Sequence, residues 1–560
     1  MKSQQYFFLL FILFSSIYIM PLGFRMLTVP DEIRYAEIPR EMIADNDWIV
    51  PHFNGLKYFE KPVLGYWIHA CSIMVFGENN FAVRLPAALA ALLSAILIFL
   101  LVHMVSRDRN KEYWGLFAVF IFLTCFEVFG VANAPVLDNL FSLFLTLCIT
   151  AFYCASRAVK KSKKEISLLI LSGVGCGLAF LTKGFLAFAI PVMVLTPYLV
   201  WQRRYFDLIR MSWLPITAAV ILILPWSISI HLKEPDFWRF FFWHEHIRRF
   251  VSSNAQHKAP FWYFFIASPG IFMPWIPLIP SAVIGLKERL QNLDNRQDGE
   301  LSLIKLSISW LIAPFLFFSL SHGKLLTYVL PCFPPFAILM TSGLLYTARS
   351  EKQNCFLQRG IIVNSSLFLL LLIIFVIVQN TGFKGIYPYT QSWKSVMAVN
   401  SLIFLLLFNY WAVRHQDKTK KILFYGFSTF LLMLSVNFIV PDLALEKKSP
   451  GLILEKYSRN DVKGKIVISD NNSAGAVCWY FKRNDVYILG TPGEYHYGLE
   501  HNGSNIRKLD IQTVIRLIAE NPGNLILVGR TRKMERWRQK LPKPVYEETS
   551  GDKGYVLLEY

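Results

Sequence analysis

The sequence predicts a polytopic α-helical membrane protein that ends in a small α/β domain. Three observations carry this prediction. Apolar runs about twenty residues long recur along most of the chain, long enough to span a bilayer as helices. Basic residues gather in alternate loops between those runs, and the composition turns polar after about residue 441. Charged residues make up 17% of the 560, against roughly 25% in globular domains, which excludes an ordinary soluble enzyme. The formal charge of +19 is not a nucleic-acid signature, because the cations lie in short loops rather than along one face.

The first run, 6–24, is longer than a signal-peptide core and is followed by no small-residue cleavage site, so it reads as a membrane span. Further spans are predicted at 82–105, 113–132, 139–156, 166–182, 184–201, 211–231, 261–285, 302–320, 325–346, 360–379, 396–413 and 422–440, about thirteen in all. Every even-numbered loop is basic: Arg107 and Arg109 follow the second span, Arg157 and Lys160 the fourth, Arg203 and Arg204 the sixth. The positive-inside rule then places the N-terminus in the cytoplasm and the tail outside. Eight cysteines without a C-x-x-C pair predict no disulfide framework.

Two outer loops, 25–81 and 232–260, are long enough to expect function from them. The first interleaves aromatic and charged residues, which predicts amphipathic helices in the membrane interface. Residues 1–440 form the membrane domain. In the tail, 441–560, KIVISD, DVYILG and NLILVG read as strands and IQTVIRLIAEN as a helix. It has no Gly-rich dinucleotide fingerprint and the chain has no phosphate-binding P-loop, so no nucleotide cofactor is expected.

Ionisable residues outside but near the membrane are the functional candidates, because charge is costly to place there. Asp31 and Glu32 follow the first span; such a pair orients an acceptor, accepts a proton or holds a phosphate through a metal, and equally suits a helix N-terminus. Arg34 is their near neighbour. Glu60 suits a metal ion or an ion pair, and Lys61 suits a phosphate. Asp138 opens the fourth span, where it also fits a cap. Lys183, at a hairpin tip with no acid adjacent in sequence, requires an anionic partner or water. Lys324 and Tyr328 occupy another outer turn, SHGKLLTYVLP. The segment 240–264 holds His244, His246 and His257, candidate metal ligands with Glu60 although their spacing matches no standard pattern, and Arg249, a candidate phosphate ligand. Together these acids and cations on one membrane face suit a substrate with a phosphate head and a lipid tail.

Several of these segments resemble a known family. PDEIRYAEIPREM and DWIVPHFNGLKYFEKPVLGYW in the first loop, LTKGFLAFAIP (181–191), FFWHEHIRRF and AQHKAPFWY (241–263) and HGKLLTYVLPCFPP (322–335) closely resemble the aminoarabinose transferases of Gram-negative lipid A, GT-C glycosyltransferases distantly related to protein O-mannosyltransferases. The resemblance spans the membrane region and weakens beyond residue 441. It implies a GT-C fold and an inverting-type transfer of 4-amino-4-deoxy-L-arabinose from undecaprenyl phosphate to lipid A phosphates. The expected setting is the periplasmic face of the inner membrane, and the outcome is resistance to polymyxin. It also implies that Asp31 is the catalytic carboxylate and Asp138 a second functional acid. Lys61 and Arg249 would hold the carrier phosphate with Tyr328 nearby, and Glu60 would bind a divalent metal, zinc foremost, with histidines of 244–257. One departure is Leu326, where the family motif has proline.

Overall fold

The computed structural model describes residues 3–105, 111–248, 258–291, 298–348, 354–382, 387–457, 461–501 and 504–560. Among these, eight helices are long and apolar enough to cross a membrane, or ten if two bent pairs each count as one span. All thirteen predicted stretches coincide with helix, but several are shorter than a full crossing, such as Leu186–Trp201 and the pair Lys418–Phe427 and Phe430–Ser435. The bends fall between Glu112–Thr124 and Phe126–Ala132, at 68°, and between Tyr263–Ile271 and Ile276–Gln291, at 97°. Hydropathy reads straight through both because the sequence stays apolar. At the first bend Cys125 leaves the helical region with ψ 131; at the second a Pro-containing 3-10 turn, Ile276–Leu278, breaks the ladder.

Helix Lys163–Lys183 shows how the core closes. Ser162 caps its start, accepting from Glu165 N at 3.1 Å. Gly175 lies against Leu137–Arg157, where a Cβ would meet Cys148 N at 2.8 Å, and Gly173 against the Pro215 carbonyl, where it would meet the oxygen at 2.3 Å. Without a hydrophobic driving force between them in lipid, membrane helices associate through such close packing at small residues. Gly184, with φ +85, ends the helix and leaves Lys183 at its C-terminus, where a cation complements the helix dipole.

Loop 25–81 folds into helix Asp31–Asp45, a hairpin of β1 (His52–Phe53) and β2 (Leu56–Lys57), and helix Leu64–Phe76. The expectation that its helices lie in the lipid interface fails for Asp31–Asp45, because the tail covers it. Ile33, Ala36, Ile38 and Met42 are buried, and Gly475 of the tail packs on Phe53 and Ile33. Asn54 completes the junction: its Nδ2 donates to Val486 O at 2.8 Å, and its Oδ1 accepts from Arg507 at 2.8 Å. The apolar stripe of the loop is therefore satisfied by protein.

The tail is the expected α/β domain. Its sheet runs β5 (Lys508–Leu509), β4 (Tyr487–Leu489), β3 (Ile466–Asp470), β6 (Leu525–Arg530), β8 (Tyr555–Glu559), β7 (Tyr546–Thr549). The first four strands are parallel and the last two join antiparallel. β3, β4 and β6 and helix Ile511–Glu520 match the predicted runs. β5, β7 and β8 were not foreseen: β5 has two residues, and the edge strand β7 reads YEET, mostly exposed and without apolar alternation. The carboxyl ends of β3 and β4 lead into Asn471 and Glu494, which face the membrane domain.

Candidate active site

Where the membrane helices, loop 25–81 and the tail meet, they enclose a cavity of about 1470 Å³. Asp31, Arg34, Glu60, Lys61, Asp138, Lys183 and Tyr328 all line it, so residues scattered across three hundred positions converge on one cavity. They form two groups with different electrostatics.

The first group joins the loop to the tail. Asp31 sits in the first turn of its helix but caps no backbone group; its Oδ1 accepts from Arg34 Nη1 at 2.9 Å, and 56% of its side chain is open to the cavity. Arg34 also donates through Nε and Nη2 to Glu494 Oε2, at 2.9 and 2.6 Å. One guanidinium thus clamps two carboxylates 460 or more positions apart in sequence. Tyr58 OH points at the same Glu494 oxygen from 3.5 Å. Burial pushes the Glu494 carboxyl upward, partly opposed by Arg34.

The second group lies toward the membrane. Lys183 Nζ is 2.7 Å from Asp138 Oδ1, so the acid that Lys183 lacked in sequence comes from the neighbouring helix. Asp138 is likewise no cap, since the N-cap position is Val136. The Lys183 ammonium also stands 5.2 Å from the Tyr328 ring centroid, within cation–π range. Lys61 donates to the Glu60 carbonyl at 2.9 Å.

Two predicted residues do not belong to the site. Glu32, expected beside Asp31 as a catalytic acid, points the other way, because adjacent helix positions diverge by about 100°. It is 3% exposed and is held by Arg25 at 2.7 Å, Arg84 at 3.0 Å and the Thr28 amide at 2.7 Å. Burial alone would raise its carboxyl, but Arg84 and Arg25 overcome that and lower it to about 2. A depressed carboxyl contributes stability above its ordinary value of 4.5 and loses it as pH falls toward 2. Glu32→Gln leaves Arg84, 1% exposed, without its counter-charge, and is expected to cost about 3–5 kcal/mol, measured as a lower Tm of the purified protein. Lys324 is the other correction. It is buried and donates to the Ala259 and Ser321 carbonyls, so it fastens the outer turn instead of meeting substrate.

Arg249 and His257 lie outside the described residues, as do the side chains of His244 and His246. Among the described residues one group has metal-like spacing, Glu37, Glu41 and Cys478, away from Glu60. Its donors are occupied: Glu37 by Arg40 at 2.6 Å, and Glu41 by the amides of Asn54 and Gly55 at 2.6 and 2.8 Å. It locks the loop to the tail.

Sequence reasoning missed Tyr58, Asn471 and Glu494. For Glu494 the run TPGEYHYGLEH directly after the strand DVYILG, and for Asn471 the Asn-Asn pair directly after KIVISD, were the available signals, since functional groups concentrate in loops at the carboxyl ends of parallel strands; Tyr58 had none.

Residues 4–241 match the family described as dolichyl-phosphate-mannose-protein mannosyltransferase, and residues 445–558 match the C-terminal domain of arabinosyl transferase ArnT. The chain is 36% identical to the undecaprenyl phosphate-alpha-4-amino-4-deoxy-L-arabinose arabinosyl transferase of Shewanella sediminis, over 95% of this chain and 94% of that one. It is 34% identical to the protein of the same name from Aeromonas hydrophila, over 98% of both. Its fold superposes on ArnT from Cupriavidus metallidurans, whose crystal structure has undecaprenyl phosphate bound, with a TM-score of 0.82 at 21% identity, covering 99% of this chain and 98% of that one.

Proposed function

The chain belongs to the undecaprenyl phosphate-alpha-4-amino-4-deoxy-L-arabinose arabinosyl transferases, and from that premise we propose that its acceptor is lipid A and that the cavity works on the periplasmic face of the inner membrane. It is a multi-pass membrane glycosyltransferase that uses a polyprenyl-phosphate-linked sugar. The observation that carries the proposal is that one cavity presents charges of both signs. Carboxylates of Asp31 and Glu494 stand at the tail side, and the ammonium groups of Lys61 and Lys183 also line the space. An amino sugar on a lipid phosphate needs both: anions for the sugar ammonium and cations for the carrier phosphate.

The chemistry asks little of a base. A lipid A phosphate oxygen is already anionic at neutral pH. It attacks C1 of the aminoarabinose, a new C1–O bond forms, and the bond from C1 to the carrier phosphate breaks. Undecaprenyl phosphate leaves with the electron pair, and a single displacement inverts C1. Asp31 orients the amino sugar, while Lys61, Lys183 and Tyr328, with Arg249, stabilise charge on the departing phosphate. The Lys183–Asp138 pair fixes that ammonium in place. The added amine offsets phosphate charge on the acceptor, which lowers the affinity of cationic polymyxin.

A divalent cation, zinc by its mixed nitrogen and oxygen donors, is assigned to Glu60 with histidines among 244, 246 and 257. Glu60 lines the cavity beside Lys61, which supports its share of the set. When bound, such an ion supplies positive charge beside the carrier phosphate. Glu60→Ala is expected to lose bound zinc, measured by elemental analysis of purified protein; an unchanged metal content contradicts the assignment.

The acceptor is tested in cells. Expressed in a Gram-negative strain lacking its own transferase, the protein is expected to add aminoarabinose to lipid A, read by mass spectrometry, and to raise polymyxin resistance. Unmodified lipid A alongside normal membrane expression would reject lipid A as acceptor.

A further inference from the structure

The tail sheet meets the cavity in a way that the transfer chemistry leaves unused. After β3 the chain moves to β4 and β5 on one side, and β6 returns to pair with β3 on the other. The order therefore reverses between β3 and β6. In open α/β sheets the crevice outside the carboxyl ends of the strands at such a reversal is where ligands bind. Here that crevice is not open to bulk solvent on a free domain. Asn471 and Asn472, just past the end of β3, line the cavity that holds Asp31 and Glu494.

Asn471 is also aimed. Lys533, which follows β6, donates to its Oδ1 at 2.6 Å, and the same ammonium lies 2.9 Å from Oδ2 of Asp470, the last residue of β3 and fully buried. Asp470 is itself anchored by the Ser473 amide at 3.0 Å. With Oδ1 taken, the amide orientation is set and Nδ2 is left as a donor that no described residue accepts from. Nδ2 lies over Gly493, where a Cβ would stand only 2.3 Å away, and Gly493 has φ +56. Both the missing side chain and the left-handed backbone at Gly493 make room for this amide. An ion pair between the end of β3 and the helix after β6, together with a glycine turn, thus fixes one hydrogen-bond donor on a cavity wall.

We propose that this carboxyl edge is a sugar-binding subsite in which Asn471 donates to a ring hydroxyl of a substrate and so sets specificity. Lys533 and Asp470 are its positioning residues. The ligand class is a hydroxylated sugar ring, which the donor pentose and the glucosamine head of the acceptor both provide. The inference rests on the transferase reading above and assigns the tail a part in that reaction.

The test uses full-length protein in detergent, with undecaprenyl phosphate-linked aminoarabinose and lipid A varied one at a time. Asn471→Ala keeps the Lys533–Asp470 pair, so the fold should persist, checked by an unchanged Tm. The expected result is a KM raised about 3–10-fold for one substrate, the size of one lost hydrogen bond, with kcat nearly unchanged. A rise for the donor identifies the pentose as the ligand, and a rise for lipid A identifies the glucosamine. Lys533→Met, which releases the amide, is expected to raise the same KM by a smaller factor. Both KM values unchanged in Asn471→Ala, or a loss confined to kcat, overturns the subsite. Wild-type turnover in the same assay carries the transferase reading separately, so these outcomes bear on the subsite alone.

Discussion

Asp31→Asn is expected to fold and to lose transfer, with kcat down on the order of 10²–10³-fold, the range for removing one preorganised electrostatic contact. The fold should survive because Asp31 is more than half open to the cavity and, among the described residues, its one ion pair is with Arg34. Arg34 keeps its two hydrogen bonds to Glu494 in the variant, so the loop stays joined to the tail. What disappears is the negative charge that the proposed mechanism uses to orient the sugar. Tm and kcat should therefore separate: an almost unchanged melting curve with little turnover. A variant that keeps wild-type turnover removes Asp31 from the chemistry.

The second large effect is expected at Lys61. Its ammonium lines the cavity and is steadied by the Glu60 carbonyl. A hydrogen bond to a charged group contributes roughly 1.5–3 kcal/mol, so Lys61→Ala should weaken undecaprenyl phosphate binding about 10–100-fold. Product inhibition by undecaprenyl phosphate reads this directly. Lys183→Ala makes an informative contrast, because it also strands Asp138, 13% exposed, without its cation. That variant should lose stability as well as affinity. Unchanged inhibition in Lys61→Ala contradicts the phosphate role.

These residues also show what a sequence can convey. The apolar runs read from hydropathy all coincide with helix, because a long apolar run suits both lipid and a membrane-buried core. Hydropathy could not see the 68° and 97° bends, since apolar composition continues through both. Asp31 and Glu32 looked equivalent as neighbours, yet a single residue step along the helix, about 100°, sends the first to the cavity and the second to Arg25 and Arg84. Arg84, a charge within an apolar stretch, was the available hint that a buried counter-charge existed. Lys183 and Asp138 were both legible as candidates, but their pairing belongs to the helix packing that Gly175 permits. Glu494 carried no local sign of its partner Arg34, because contact across 460 positions is created by the docking of the tail. The tail strands that were missed are the short or edge ones, where cross-strand pairing decides structure more than composition does.

The central claim is that this cavity moves an amino sugar from a lipid phosphate carrier to a phosphate of lipid A. Its most direct measurement is reconstitution of purified protein in vesicles with undecaprenyl phosphate-linked aminoarabinose and lipid A, followed by mass spectrometry of the lipid fraction. The predicted result is lipid A carrying aminoarabinose, released undecaprenyl phosphate in equal amount, and neither product with Asp31→Asn. Lipid A of unchanged mass while the donor is consumed would contradict it.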